Sequence, residues 1–206
     1  MITTKILLIT ILISILAFFN RNLMNTFLFY PYRIHHNNEW FRFITAGFIH
    51  GGILHLFINM WVLYIFGIAI EKSLAMLLTN DKLHYIILYF GGMFFSSLIP
   101  YFKNKNNPQY MALGASGAIS SIVFAFILLY PTEKLIIFPI PIGIPAWIFG
   151  VFYLIFSYYQ SRKSKDNIAH DVHFYGSLFG ILYLIIVKPS LLMHFINSIF
   201  KNYNQL

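Results

Sequence analysis

Long apolar segments separated by short polar linkers are the feature that most limits how this chain can fold. A helix needs about 20 mostly apolar residues to cross the hydrocarbon core of a bilayer, with a range of roughly 17–25. Six segments reach or approach that length: residues 5–20, 53–77, 84–102, 116–130, 145–160 and 169–187. The pattern predicts an all-α polytopic membrane protein whose core is a bundle of six transmembrane helices.

The composition agrees with a membrane protein and excludes several classes of function. Only 10% of the 206 residues are charged, against roughly 25% in an ordinary soluble domain. The length favours one membrane domain over residues 1–206. The chain has no cysteine, which excludes disulfides and thiolate chemistry. Its net charge of +8 comes from scattered basic residues, so we expect contact with anionic lipid and no binding of nucleic acid.

Three stretches of the sequence are ambiguous as spans or linkers. The first apolar segment follows Lys5 and could be a signal peptide, but no small-x-small cleavage site comes after it, so we predict a retained span. Residues 21–49 are too apolar for a free solvated loop and are expected to lie in the membrane interface or on the bundle. Residues 131–145 contain four prolines and are not predicted to span.

Polar side chains inside the apolar segments point to a functional site. Such groups are costly in a bilayer and usually face the bundle interior. They occur in three predicted helices: His55 and Asn59 in the second, Ser116, Ser120 and Ser121 in the fourth, and His170, Asp171 and His173 in the sixth, with His50 just before the second. Each set lies near the start of its helix, and these three helices begin at the same membrane face. The topology therefore predicts that the sets meet at one depth.

Small residues predict which helix faces pack together. They lie four apart in two helices: Gly117 and Ser121 in the fourth, and Gly176 and Gly180 in the sixth. Such spacing lets membrane helices approach closely. His173 shares a helical face with Gly176 and Gly180. If this face meets the fourth helix, Ser116 and His173 come within hydrogen-bond distance.

Other interpretations of the same residues exist. A serine beside glycine in a membrane helix often serves packing alone, and His55 and Asn59 are spaced to interact across one helical turn. A zinc site could be built from four histidines: His50, His55, His170 and His173. The chain has no His-Glu-x-x-His motif, and structural zinc usually recruits cysteine. We therefore predict no metal and no cofactor.

Three motifs, in this order, resemble the rhomboid family of intramembrane serine proteases over about residues 40–186. The segment EWFRFITAGFIHGGILHLFINMWVLYIFGIAIEK resembles the first loop and second helix of that family, GASG resembles its nucleophile motif, and HFYGSLFG resembles its His-x-x-Gly-x-x-x-Gly motif. The matching positions are Arg42, His50, His55, Asn59, Glu71, Gly114 to Gly117, His173, Gly176 and Gly180. The resemblance implies hydrolysis of peptide bonds in transmembrane segments of other membrane proteins, which would be the partners together with the bilayer.

The resemblance also implies a role for each matching residue. Ser116 would be the nucleophile and His173 its general base. The expected oxyanion donors are the backbone N–H of Ser116 and the side chains of His50 and Asn59. Three further residues are expected to support the site: His55 by orienting it, and Gly114 and Gly117 by admitting the substrate backbone.

Asp171 is not assigned to this catalytic set, because residues two apart on a helix point in different directions. One alternative function is a rhomboid-like protein that binds membrane clients without cutting them, although such proteins usually lack the serine or the histidine. Another is a small transporter, which would place polar residues near the middle of its spans, often in repeated halves. The small size favours a multi-pass protein of a bacterial inner membrane.

Overall fold

Helices account for most of the computed structural model, which describes residues 1–137, 140–163 and 170–203. The helices in those ranges are α1 (Ile2–Phe19), α2 (Arg21–Phe27), α3 (Pro31–Asn37), α4 (Arg42–Thr45), α5 (Ile53–Leu77), α6 (Asp81–Asn104), α7 (Ser116–Leu129), α8 (Ala146–Lys163), α9 (His170–Val187) and α10 (Ser190–Tyr203). The strands are β1 (Lys134–Ile137) and β2 (Ile140–Pro145).

A helix occupies each of the six segments predicted to span, namely α1, α5, α6, α7, α8 and α9. Helix boundaries differ from the predicted ones by a few residues at most, and the predicted start of the sixth segment, at 169, lies outside the described residues. Within the described ranges, α1, α5, α6 and α9 are each long and apolar enough to cross a membrane. The chain is a polytopic helical membrane protein.

The central helix of the bundle, α7, is also a short one. Its 14 residues extend about 21 Å at 1.5 Å per residue, against a hydrocarbon core of about 30 Å. Most of its side chains are buried against neighbouring helices, and Ile119, Ile122 and Ala125 lie in the main apolar core. If its far end reaches the opposite interface, its first residue, Ser116, lies within the membrane thickness.

Glycines allow α9 to lie directly against α7. A Cβ atom added to Gly176 would collide with the carbonyl oxygen of Gly117. A Cβ atom added to Gly180 would collide in the same way with the carbonyl oxygen of Ser121. The two helices therefore touch backbone to backbone over one turn, along the face that the small residues predict.

Residues 21–49 pack on the bundle through an apolar cluster. The buried side chains are Phe29, Ile34, Phe43 and Ala46, together with Tyr101 of α6. Phe29 also forms a β-bridge with Ala112, with nitrogen-to-oxygen distances of 2.9 and 3.0 Å. This loop therefore fixes the chain segment that leads into Ser116.

A buried arginine ties the same loop together. The Arg42 side chain is 1% exposed and donates to the carbonyl oxygens of Asn25 (2.9 Å) and Leu28 (2.8 Å). It also forms an ion pair with Glu39, which Arg33 contacts from the other side at 2.6 Å. Burial alone would raise the pKa of the Glu39 carboxyl, but the hydrogen bond and charge of Arg42, together with Arg33, lower it.

Beyond the predicted spans and the loop of residues 21–49, the structure has a pair of strands and one further helix. The proline-rich linker forms an antiparallel hairpin of β1 and β2, a small addition to the all-α prediction. Both strands of a two-stranded sheet are edge strands, where proline is tolerated. The second element is α10, whose apolar residues are interrupted by His194, Asn197 and Ser198 and so form no long run.

Candidate active site

Ser116 and His173 are joined by a hydrogen bond between α7 and α9. The distance from Ser116 Oγ to His173 Nε2 is 2.8 Å. Ser116 is the first residue of α7 and His173 lies in the first turn of α9. Both side chains are only half-buried. A neutral histidine that carries its proton on Nδ1 accepts the serine hydroxyl proton at Nε2, as a general base must.

The turn before Ser116 depends on a glycine. Gly114 has φ of +112°, a conformation that favours glycine because it has no Cβ. A Cβ atom there would also lie 2.9 Å from Cε1 of His55. The Gly114 N–H donates to the carbonyl oxygen of Ala46 at 2.9 Å. These contacts hold the turn that leads into Ser116 against residues 46–55.

The second glycine of the motif serves helix packing. A Cβ atom on Gly117 would collide with Oγ of Ser96 and lie 2.8 Å from Cγ1 of Val172. That side of Gly117 faces α6 and α9 and not open space. Its expected role in admitting a substrate backbone stays a prediction, whereas its contribution to packing is visible in the geometry.

His50 is fully buried and holds the backbone next to Ser116. The Ser14 hydroxyl donates to the carbonyl oxygen of Phe48 at 2.8 Å and lies 2.9 Å from His50 Nδ1. Because the single hydroxyl proton is used in this way, Nδ1 must be the donor to Ser14 Oγ. Nε2 then accepts the Ala115 N–H at 3.4 Å.

This network has consequences for the charge of His50 and for its expected role. Burial, together with the nearby charge of His55, lowers the pKa of His50 to about 3. The ring is therefore neutral at physiological pH. An oxyanion donor would need the other tautomer, with its proton on Nε2, which would break the bond from Ala115. The oxyanion role of His50 stays a prediction.

His55 and Asn59 lie in the first two turns of α5, close to His50. One Asn59 Nδ2–H donates to the carbonyl oxygen of His55 at 2.9 Å. A side-chain amide has two N–H groups, so this bond leaves Asn59 a second donor. The His55 ring stands edge-on to the His50 ring, with centroids 5.0 Å apart, and its Nδ1 accepts the Gly51 N–H at 3.4 Å.

The other polar residues of α9 are arranged around His173. The His170 ring is buried and lies edge-on to the His173 ring at 6.1 Å. Asp171 Oδ1 accepts the backbone N–H of Val172 at 2.9 Å, so this carboxylate is engaged with its own helix start. Nowhere in residues 1–137, 140–163 and 170–203 do three His, Asp or Glu side chains gather in a group that could hold a metal ion.

A small cavity adjoins Ser116. Its volume of about 30 Å³ is close to the volume that one water molecule occupies in liquid water. Among its lining residues are Phe43, Met93, Ser96, Ser97, Ser116 and Val172. The hydroxyls of Ser96 and Ser97 each donate to the Met93 carbonyl oxygen at 3.0 Å. The hydroxyl oxygens give this apolar pocket polar atoms that can bind water.

Sequence reasoning missed Ser14, Ser96 and Ser97. Ser14 lies within the apolar run of α1 and is fully buried. The rule that polar residues inside spans face the bundle interior could have found it. Its contact with His50, 36 positions away, carries no local sequence signal.

Comparison with known proteins agrees with the motifs. The family model described as the Rhomboid domain matches residues 37–190. RHOMBOID-like protein 6, mitochondrial, of Arabidopsis thaliana is 38% identical over 90 residues, which are 44% of this chain and 26% of the relative. YdcA of Bacillus subtilis (strain 168), described as a candidate rhomboid protease, is 30% identical over 99 residues, 47% of this chain and 46% of the relative.

A third relative is matched over more of this chain. Rhomboid protein 1, mitochondrial, of Saccharomyces cerevisiae is 27% identical over 142 residues, which are 68% of this chain and 40% of the relative. The chain thus spans less than half the length of each of these three relatives. The family model covers well over half of the chain, from before His50 to beyond Gly180. The chain belongs to the rhomboid family.

Proposed function

We propose that this chain is an intramembrane serine endopeptidase that cleaves transmembrane segments of other membrane proteins. The observation that carries the proposal is the 2.8 Å hydrogen bond from Ser116 Oγ to His173 Nε2. A serine hydroxyl is a weak nucleophile unless a base removes its proton. The description of the Bacillus subtilis relative as a candidate protease supports the same activity.

The reaction follows from the order of proton transfers. His173 Nε2 takes the Ser116 proton while Oγ attacks the scissile carbonyl carbon, and it then returns that proton to the leaving amine. A water molecule next attacks the acyl-enzyme, with His173 again as the base. The half-buried state of both side chains and the small cavity beside Ser116, with its serine hydroxyl oxygens, support access of that water.

The first group expected to stabilise the oxyanion is a backbone N–H at the start of α7. The first N–H groups of a helix have no partner within the helix, and the helix dipole favours negative charge there. The Ser116 N–H belongs to this set. The second N–H of Asn59 would add a side-chain donor, and His50 would add another after exchange of its tautomer. A donor of this type contributes about 2.7–4 kcal/mol to the transition state.

The expected substrates are single-span segments that unwind readily. A protease acts on extended chain, so a helical substrate with small or proline residues near its end is favoured over a regular helix. The proposed setting is a single rhomboid unit over residues 1–206 in a bacterial inner membrane.

The test is cleavage of a labelled transmembrane substrate by the purified chain in liposomes. Ser116→Ala and His173→Ala should each abolish cleavage, and the double variant should be no worse than either single one, because the pair acts as one unit. Asp171→Ala is the matched control and should keep most activity, since its carboxylate bonds to the N–H of Val172.

A fluorophosphonate probe gives an independent readout. It should modify Ser116 in the unaltered chain and leave Ser116→Ala unlabelled. Continued cleavage by Ser116→Ala, or loss of cleavage on Ser120→Ala or Ser121→Ala instead, would show that the nucleophile is misassigned. Cleavage that depends on none of these serines would mean that the chain is not a serine protease.

A further inference from the structure

Helix α10 lies across the end of the bundle that is opposite Ser116. Helices α5, α7 and α9 all begin near the candidate site and end at the other face. Lys188 Nζ donates to the carbonyl oxygen of Leu77, the last residue of α5, at 3.1 Å. His194 Nε2 donates to the carbonyl oxygen of Leu129, the last residue of α7, at 2.9 Å. One bond comes from α10 itself and the other from Lys188, two residues before it. Together they place α10 at the level where α5 and α7 end.

Only part of the apolar surface of α10 is covered by the bundle. Leu191 is buried and Phe195 packs against the core. The adjoining arc of the helix is also apolar, but it faces outward. On that arc Leu192, Met193 and Phe200 are 43%, 57% and 66% exposed. Polar residues occupy the remaining arc: Ser190, His194, Asn197 and Ser198.

The outward apolar arc continues the lipid-facing surface of α9. Leu182 and Ile186 lie in the last two turns of α9 and are 55% and 78% exposed, as expected for a helix that spans a bilayer. Helix α10 begins three residues after α9 ends. The exposed side chains of α10 therefore start where the hydrocarbon region gives way to the headgroups.

We propose that α10 lies flat in the membrane interface on the face opposite Ser116. Leu192, Met193 and Phe200 would enter the boundary between headgroups and acyl chains, and the polar arc would face water. An apolar arc on one side and a polar arc on the other are the features of in-plane helices. Lys188 adds a positive charge at the same level, which favours anionic lipid. The match to the family model ends at residue 190, which is the first residue of α10.

Because the chain has no cysteine, the test can use single labelled cysteines in full-length protein. Leu192→Cys and Phe200→Cys probe the apolar arc, and Asn197→Cys is the matched control on the polar arc of the same helix. Each carries an environment-sensitive fluorophore in liposomes of anionic and zwitterionic lipid. Quenching is measured with nitroxides at the headgroup, at a shallow acyl position and at a deep one, and with aqueous iodide.

The expected result is the same shallow depth for positions 192 and 200. Both should be quenched more strongly by the shallow acyl nitroxide than by iodide, whereas position 197 should show the reverse. Eight residues of helix extend about 12 Å, so a helix running along the membrane normal would separate the two labels by that depth. Labelled proteins are used if they melt as the unlabelled chain does. Met193→Cys replaces position 192 where it does not, and Ile199→Cys replaces position 200, so that at least six residues of helix separate the two labels.

Three results would overturn the proposal. Depths of positions 192 and 200 that differ by about the length of the intervening helix would show that α10 crosses the bilayer. Equal quenching of all three positions by iodide would place it in water. Protection of the apolar arc from both iodide and lipid nitroxides would show that protein, such as a second copy of this chain, covers it.

Discussion

The substitution Gly176→Ala tests whether backbone contact between α7 and α9 positions the Ser116–His173 pair. The added Cβ would collide with the carbonyl oxygen of Gly117 and lie 3.0 Å from its carbonyl carbon and 3.2 Å from its Cα. All three atoms belong to the backbone of a helix. No side-chain rotation relieves the overlap, so the two helices must move apart.

The size of that movement can be worked out from ordinary contact distances. Carbon atoms pack at about 3.5–4.0 Å, so relief requires a separation of roughly 1 Å. The bond from Ser116 Oγ to His173 Nε2, now 2.8 Å, would lengthen to about 3.8 Å, beyond the 2.6–3.2 Å reach of a general base. A misplacement of about 1 Å lowers the rate roughly 10²-fold, and overpacking costs about 1–3 kcal/mol of folding stability.

The assay pairs cleavage of a labelled transmembrane substrate in liposomes with thermal unfolding in detergent. Gly52→Ala is the matched control, because a Cβ there meets nothing within 4 Å and the residue has extended backbone with φ of 169°. Gly176→Ala should lose both activity and thermal stability relative to this control. If the two variants cleave and melt alike, contact between α7 and α9 does not position the pair.

Two further predictions concern the residues near the start of α5. Asn59→Ala should lower kcat by about 10²–10³-fold with little change in KM, because the amide is expected to act on the transition state; an unchanged kcat would remove Asn59 from the oxyanion site. The pKa of His50, lowered to about 3 by burial, predicts that the folded state loses stability as pH falls from 6.5 toward 3, because only the unfolded state takes up a proton there. At about 1.4 kcal/mol for each pH unit, the loss approaches 5 kcal/mol and is absent above pH 6.5. The free energy of unfolding should depend less on pH in His50→Gln than in the unaltered chain. Equal pH dependence in the two proteins would contradict the lowered pKa of His50.

The presence of the helices and the Ser116–His173 contact were predictable because they depend on segment length and on the spacing of residues along a helix. Segment length indicates a span, and the four-residue spacing of Gly176 and Gly180 indicates the face on which His173 lies. The topology of alternating helices then brings the fourth and sixth helices together at one depth. These rules need no knowledge of loop conformation, so the sequence alone was sufficient to predict the helices and this contact.

The tautomer of His50 could not be predicted for the opposite reason. It depends on Ser14 of α1, on the carbonyl oxygen of Phe48 and on the N–H of Ala115, which only the folded loops bring together. Helix α10 was missed because polar residues interrupt its apolar residues every few positions along the sequence. Hydropathy averaged along the chain therefore does not reveal its apolar arc. The pairing of β1 with β2 was hidden by the prolines of the linker that contains these strands.

The length of α7 is itself a constraint on how this chain can vary. The helix is held at one end by the bond from His194 to Leu129 and presents Ser116 to His173 at the other. One residue inserted between Ser116 and Leu129 would turn Ser116 by about 100° and displace it by about 1.5 Å. We therefore expect insertions and deletions among related chains to fall in the connecting loops, while the number of residues in this one helix stays fixed.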